Sequence, residues 1–246
     1  MKKNHYYILF AIILTIVSAA LYIFDYFLFN DARNLFFYTV MDLAFMPLQI
    51  LLVTVVFDRV LEFREKKSIL KKLNMVIGVF FSEVGTDILK VFINQDKNAE
   101  NLREISIISS NWKSKNFTNL LKTIEPFSFE NEFPAPNLIE LKELICSKRE
   151  FILKIMENPI LIEHELFSEL LLALMHLDSE LTYRKDLANL KPNDADHIFH
   201  DISRTYKLFY QSWVRYMEHL KSEYPYMFSL SVRTNPFNIN AKAEID

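Results

Sequence analysis

Glycine is almost missing from this sequence. Gly78 and Gly85 are the two in 246 residues, against an average usage of about 7%. A phosphate-cradling loop or a dinucleotide fingerprint needs several glycines, so that backbone amides can approach phosphate. Neither can be built here, and the nucleotide-binding classes that rely on them drop out. Sheets also draw on glycine for turns and bulges, so its scarcity favours helices. Cysteine is as scarce. Cys146 stands alone, which excludes an internal disulfide and a cysteine-built metal cage. A dominant charge is lacking too. The formal net charge of −3 is far from the basic balance of a nucleic-acid binder. The chain has no internal repeat and no low-complexity segment.

What the chain does have is apolar surface, 51% of its residues, and its first quarter concentrates it. No charged residue occurs among the 19 from Tyr6 to Phe24, close to the ~20 needed to cross a ~30 Å hydrocarbon core. The run is longer than the 7–15 residues of a signal-peptide core, and it ends in Tyr22, Phe24, Tyr26 and Phe27, not in small residues at a cleavage site. It is therefore predicted to be a retained span. A tight connection runs from Asn30 to Leu35. The second span covers Phe36 to Phe57, with Asp42 its one charge, and Pro47 is expected to kink it. The segment Arg59 to Lys72 then carries Arg59, Arg64, Lys66, Lys67, Lys71 and Lys72 against Glu62 and Glu65. Six bases less two acids leaves +4. With Lys2 and Lys3 ahead of the first span and Arg33 alone between the two, both termini are expected to be cytoplasmic.

Beyond the spans, Leu70, Leu73, Ile77, Phe80, Val84, Ile88 and Val91 recur at three- and four-residue spacing, one face of a helix. Leu70, Ile77, Val84 and Val91 are seven apart, which fits a helix pair or a self-associating stalk, and Asp87 breaks the heptad. Gly85 reads as a helix stop and Thr86 as the next cap. Helices are predicted over Ala99 to Ser109, Thr118 to Ile124, Leu138 to Glu157, Pro159 to about Leu190, and Ala195 to Glu223. The proline-rich stretch Glu125 to Asn137 reads as a long joint, and Lys191 to Asp194 as a turn. The reading is an all-α protein in three parts. A transmembrane helical hairpin covers 1–57, a basic amphipathic juxtamembrane stalk 58–95, and a helical cytoplasmic bundle 96–246.

Two stretches, KKLNMVIGVFFSEVG from Lys71 to Gly85 and YPYMFSLSVRTNPF from Tyr224 to Phe237, resemble those of a group of bacterial two-span membrane proteins of unassigned function. The resemblance implies the same topology and says nothing about chemistry.

Histidines and acids gather in the last two long helices, His164, His176, His197, His200, Asp201 and His219 among them. The His200-Asp201 pair, with His197 one turn earlier, is what a metal-dependent hydrolase would need. A hairpin turning near Pro192 would put His176 and His200 ~12 Å apart along the axis at ~1.5 Å per residue, too far for one ion. The Glu-x-x-His of ferritin-like sites is also absent. No metal site and no cofactor are therefore expected, and the acids read as helix-start charges. His164 and His219 lie at similar distances from the turn and could meet. Asp42 and Gln49 share one face of the second span, and an acid inside a span is a functional candidate unless it lies at the interface. The basic segment either meets anionic lipid headgroups or only sets topology. The function expected is a membrane-anchored, all-helical cytoplasmic protein that acts through association with itself or another protein, with the lipid bilayer as its other partner. The alternatives are a metal-dependent hydrolase using His197, His200 and Asp201, or a small oligomeric transport or sensing protein using Asp42.

Overall fold

A computed structural model of the chain describes residues 2–125 and 133–244. The regular elements among the described residues are all helices, with no strand among them, as the scarcity of glycine predicts. They divide into two compact units, Met1–Lys66 and Lys67–Asp246.

The first unit contains α1 (Lys2–Phe29) and most of the long helix α2 (Ala32–Phe80). The connection is shorter than the six residues expected. Asn30 alone takes a left-handed conformation, φ 50°, which asparagine tolerates. Asp31 then caps α2, its Oδ1 accepting from the amides of Arg33 and Asn34 at 3.1 Å each. Tyr6–Phe29 and the apolar part of α2 are long and apolar enough to cross a membrane, and the most apolar window of each has no residue buried within the protein. The helix continues through Pro47.

In the second unit the final turns of α2 enter the core. Leu73, Ile77 and Phe80 are buried. The helix does not stop at Gly85. It widens into a single π-turn, Phe81–Gly85, and resumes as α3 (Thr86–Asn94). Gly85 stays in the right-handed helical region, φ −63°. Thr86 does not cap a new helix. Its amide and its hydroxyl, the latter at 2.7 Å, both donate to the carbonyl of Phe81. Gly85 is there for space: a Cβ would lie 2.8 Å from the rings of Phe80 and Phe81. The seven-residue series is thus a core seam. Ile77 and Val84 are buried, Val91 is half-buried and Leu70 is exposed. Within the expected stalk 58–95, residues 73–93 supply nine of the buried core side chains of the second unit: Leu73, Ile77, Phe80, Phe81, Val84, Ile88, Leu89, Phe92 and Ile93.

The rest of the unit forms around α8 (Pro192–Glu223), whose buried stripe runs from Ile198 to Leu220. It packs against α7 (Glu165–Tyr183), α5 (Ser114–Ile124), α3 and α9 (Pro225–Arg233), and α6 (Ala135–Met156) lies against α7 and α3. The short α4 (Ala99–Ile105) ends at Ser106, whose hydroxyl is 2.5 Å from the Tyr210 hydroxyl on α8. The tail closes the same corner. Asn235 Nδ2 donates to the Ser106 carbonyl at 2.8 Å, and the Phe237 ring packs on Tyr210 and Trp213 at 5.0 and 4.9 Å between centroids. Trp112 is half-buried against Phe117, 5.1 Å away.

Two boundaries differ from expectation in ways that matter. The helix expected from Pro159 begins as a 3₁₀ segment, Pro159–Glu163, capped by Asn158, whose side chain accepts from the Ile160 amide. His164 then caps α7, its Nδ1 accepting from the Phe167 amide at 3.1 Å. At its other end α7 stops at Tyr183, not near Leu190. The expected joint at Glu125 to Asn137 lies largely outside the described residues, and α6 begins at Ala135, before it closes.

The two glycines should behave in opposite ways. Gly85→Ala overpacks an aromatic cluster and should cost about 1–3 kcal/mol. Gly78→Ala puts its Cβ 3.4 Å from Tyr216, an ordinary contact, and should gain up to about 1 kcal/mol from helix propensity. Denaturant titration of the two variants reads both signs.

Candidate functional site

The candidate site lies at the loop end of the α7–α8 hairpin. His176 and Glu180 are four residues apart on α7, and His197 and Asp201 four apart on α8, so each pair shares one helix face. The early end of α7 brings the pairs level. His176 lies seven residues before Tyr183, and His197 five after Pro192, an axial offset of only about 3 Å at ~1.5 Å per residue. The expected ~12 Å between His176 and His200 assumed a helix reaching Leu190; with α7 ending at Tyr183 that separation is corrected, and it is His197, not His200, that shares the group with His176.

His176 Nε2 lies 3.2 Å from Asp201 Oδ2, and His197 Nε2 lies 3.5 Å from the same oxygen. One donor atom from each of the three residues falls within 4.8 Å of the others. Both imidazoles are about half exposed, whereas the Asp201 side chain is 7% exposed. Its Oδ2 accepts no hydrogen bond, although it faces two ring nitrogens. Glu180 completes the group, its two oxygens 3.9 and 3.6 Å from the Nε2 atoms of His176 and His197. His200 is exposed and falls outside the set.

Arg184 holds the loop side of this group. It donates to Asp194 at 2.6 and 3.1 Å, and to the carboxylate and backbone carbonyl of Glu180 at 2.5 and 2.7 Å. These hydrogen bonds hold Glu180 and Asp194 below the usual carboxylate range and raise the guanidinium. Arg149 on α6 makes a separate ion pair with the buried Asp178 on the same helix as His176. Beside His176 a groove of about 560 Å³ is walled by Glu169, Leu172, Ala173, Arg204, Lys207 and Gln211 among others.

The other sequence candidates occupy different places. His164 is the α7 cap, and burial pushes its pKa down. His219 lines a smaller groove of about 280 Å³ with Met75, Gly78 and Tyr216, and burial lowers its pKa as well. Asp42 and Gln49 are both exposed on α2, as are Arg59, Arg64, Lys66, Lys67, Lys71 and Lys72. Glu62 takes up part of that charge, 2.8 Å from Lys66 and 3.8 Å from Arg59.

The molecule is thus an all-helical protein with two long apolar N-terminal helices ahead of a helical domain. It belongs to the MJ1433 family. Residues 69–233 match the family described as uncharacterized protein MJ1433, C-terminal helical domain, and residues 2–61 match the MJ1433 N-terminal helical domain. A relative of that description, uncharacterized protein MJ1433 from Methanocaldococcus jannaschii, is 40% identical over 238 residues, 97% of this chain and 96% of the relative. It comes from an archaeon, so the bacterial restriction expected from the resemblance finds no support there. No solved structure matches.

Arg184 should govern acid stability. With folded pKa values of Glu180 and Asp194 held below their unfolded value of about 4, their contribution is complete above that pH and lost as pH falls through the lower folded values. Arg184→Ala should lower the thermal midpoint by about 2–4 °C near pH 7. The difference from the unaltered protein should shrink as the pH is taken below 4, which a pH series of melting curves would read.

Proposed function

We propose that α1 and the apolar part of α2 anchor the protein in a bilayer with both termini cytoplasmic, and that it works by associating with itself or with another protein. The observation that carries this is the exposed apolar surface of Tyr6–Phe29 and of α2 as far as Phe57, side chain after side chain. In water a surface of this extent drives association. In hydrocarbon it is the ordinary solvent-facing surface, and 24 residues at ~1.5 Å each reach about 36 Å, enough for a ~30 Å core. The exposed basic residues from Arg59 to Lys72 then lie at the cytoplasmic headgroups, where positive charge is favoured. Asp42 and Gln49 recur seven residues apart on α2. A polar face in lipid favours another helix over acyl chains, which supports association through this face.

A reporter fused after Asp246 should be active in its cytoplasmic form only. Activity restricted to an exported form would overturn the orientation. For association, single cysteines at positions 42, 46 and 49 in a Cys146→Ser background should crosslink between copies in native membranes, more strongly than cysteines on the opposite face. Asp42→Leu should weaken the crosslinking of the cysteines at positions 46 and 49 while leaving insertion intact. Equal labelling of all faces by a lipid-soluble reagent, without crosslinks, would remove self-association from the reading.

A further inference from the structure

We infer that His176, His197 and Asp201 form a binding site for a divalent first-row transition metal ion, with zinc the ion the donor set suits best. Two imidazole nitrogens and one carboxylate oxygen make a mixed set that favours zinc or iron over calcium or magnesium, which take oxygen ligands. The spacing agrees. Ligand bonds of ~2.0–2.1 Å in tetrahedral arrangement put donor atoms about 3.3–3.4 Å apart. The two Nε2 atoms lie 3.2 and 3.5 Å from Asp201 Oδ2, with all three donors inside 4.8 Å.

A second observation points to a ligand. Asp201 is 5% exposed, and its Oδ2, aimed at both imidazoles, accepts no hydrogen bond. A buried carboxylate oxygen without a hydrogen bond is costly, and an ion held between it and the two nitrogens would satisfy it. The nearest arginine, Arg204, reaches the other oxygen at 3.7 Å. Glu180 sits within reach of a fourth position, already oriented by Arg184. The half-exposed imidazoles leave the ion open to solvent on the side of the Arg204–Lys207 groove, where water or a small anion would complete the coordination.

The test uses the full chain in detergent. Equilibrium dialysis against zinc should give one ion per chain at micromolar free zinc. His176→Ala and His197→Ala change half-exposed side chains, so circular dichroism should be unaltered while zinc affinity falls at least tenfold. His200→Ala, outside the set, should bind as the unaltered protein does. Cobalt offers a second measurement on the unaltered chain, with intense visible bands for a four-coordinate nitrogen–oxygen site. No stoichiometric zinc, binding that survives both histidine changes, an equal loss in His200→Ala, or a weak octahedral cobalt spectrum would each overturn the site.

Discussion

The packing of Phe80 is the constraint on which the second unit depends. Its ring lies 5.2 Å from Phe167 of α7 and 5.8 Å from Phe209 of α8, and it meets Phe81 edge-on at 5.4 Å. Three helices therefore share one aromatic contact, and each ring is fully buried. The pairs with Phe167 and Phe81 add to area burial through their edge-to-face geometry. The contacts with Phe167 and Phe209 also fix sliding register, because a one-turn shift of either helix would leave a cavity where a ring had been. Phe167 lies nine residues before His176, and Phe209 eight after Asp201. Both therefore stand about 12–14 Å along the axes from the polar group. The contact that holds α7 and α8 level at Phe80 is what keeps the two i,i+4 pairs level at the hairpin's end.

The same ring explains the glycine at position 85. A cluster of Phe80, Phe81 and their neighbours crowds the following turn so closely that a Cβ at position 85 has no room. The backbone answers with one π-turn, and the carbonyl it would orphan is taken up by Thr86. Glycine here permits close approach within a right-handed helix, where no left-handed conformation is involved.

The helical class, the two apolar helices and most of the amphipathic faces were legible in the sequence because each rests on local periodicity. In the helix predicted from Leu138 to Glu157, Leu138, Leu141, Ile145, Ile152 and Ile155 recur at helical spacing and are all buried. Two things were not legible. The stretch from Lys71 to Gly85 reads equally well as a stalk or as a core strip, since a helix face does not say which partner covers it. The end of α7 carries no glycine or proline. It is set by Arg184, which folds back onto Glu180 and Asp194, and by Asp186, whose carboxylate accepts from the Ala188 amide and the Asn189 side chain. Read seven residues too long, α7 moved His176 away from its partners. The signal that could have found them is the paired spacing itself, His176 with Glu180 and His197 with Asp201, on helices joined by a short connection. The two stretches that carry the resemblance have a different role. Leu73, Ile77, Phe80, Phe81 and Val84, and then Asn235 and Phe237, are packing and closure residues of the core.

Charge balance at the hairpin's end separates its two carboxylates. Glu180 is matched by Arg184, whose short hydrogen bonds hold it ionised, and that pair needs nothing further. Asp201 is the more buried of the two. Its close neighbours at Oδ2 are imidazole nitrogens, and a neutral imidazole supplies at most one donor and no net charge. Arg204 is half exposed and 3.7 Å away on the other oxygen, where solvent weakens what it contributes. A fold that only needed helix-start acids would leave position 201 at the surface, fully hydrated. Instead the backbone of α8 turns this carboxylate inward beside Thr205 and Ile202, both buried, and faces it with histidines from two helices. Oδ2 is thus left without a matched cation, facing two imidazole nitrogens at 3.2 and 3.5 Å, the separation that ligands shared by one ion would have.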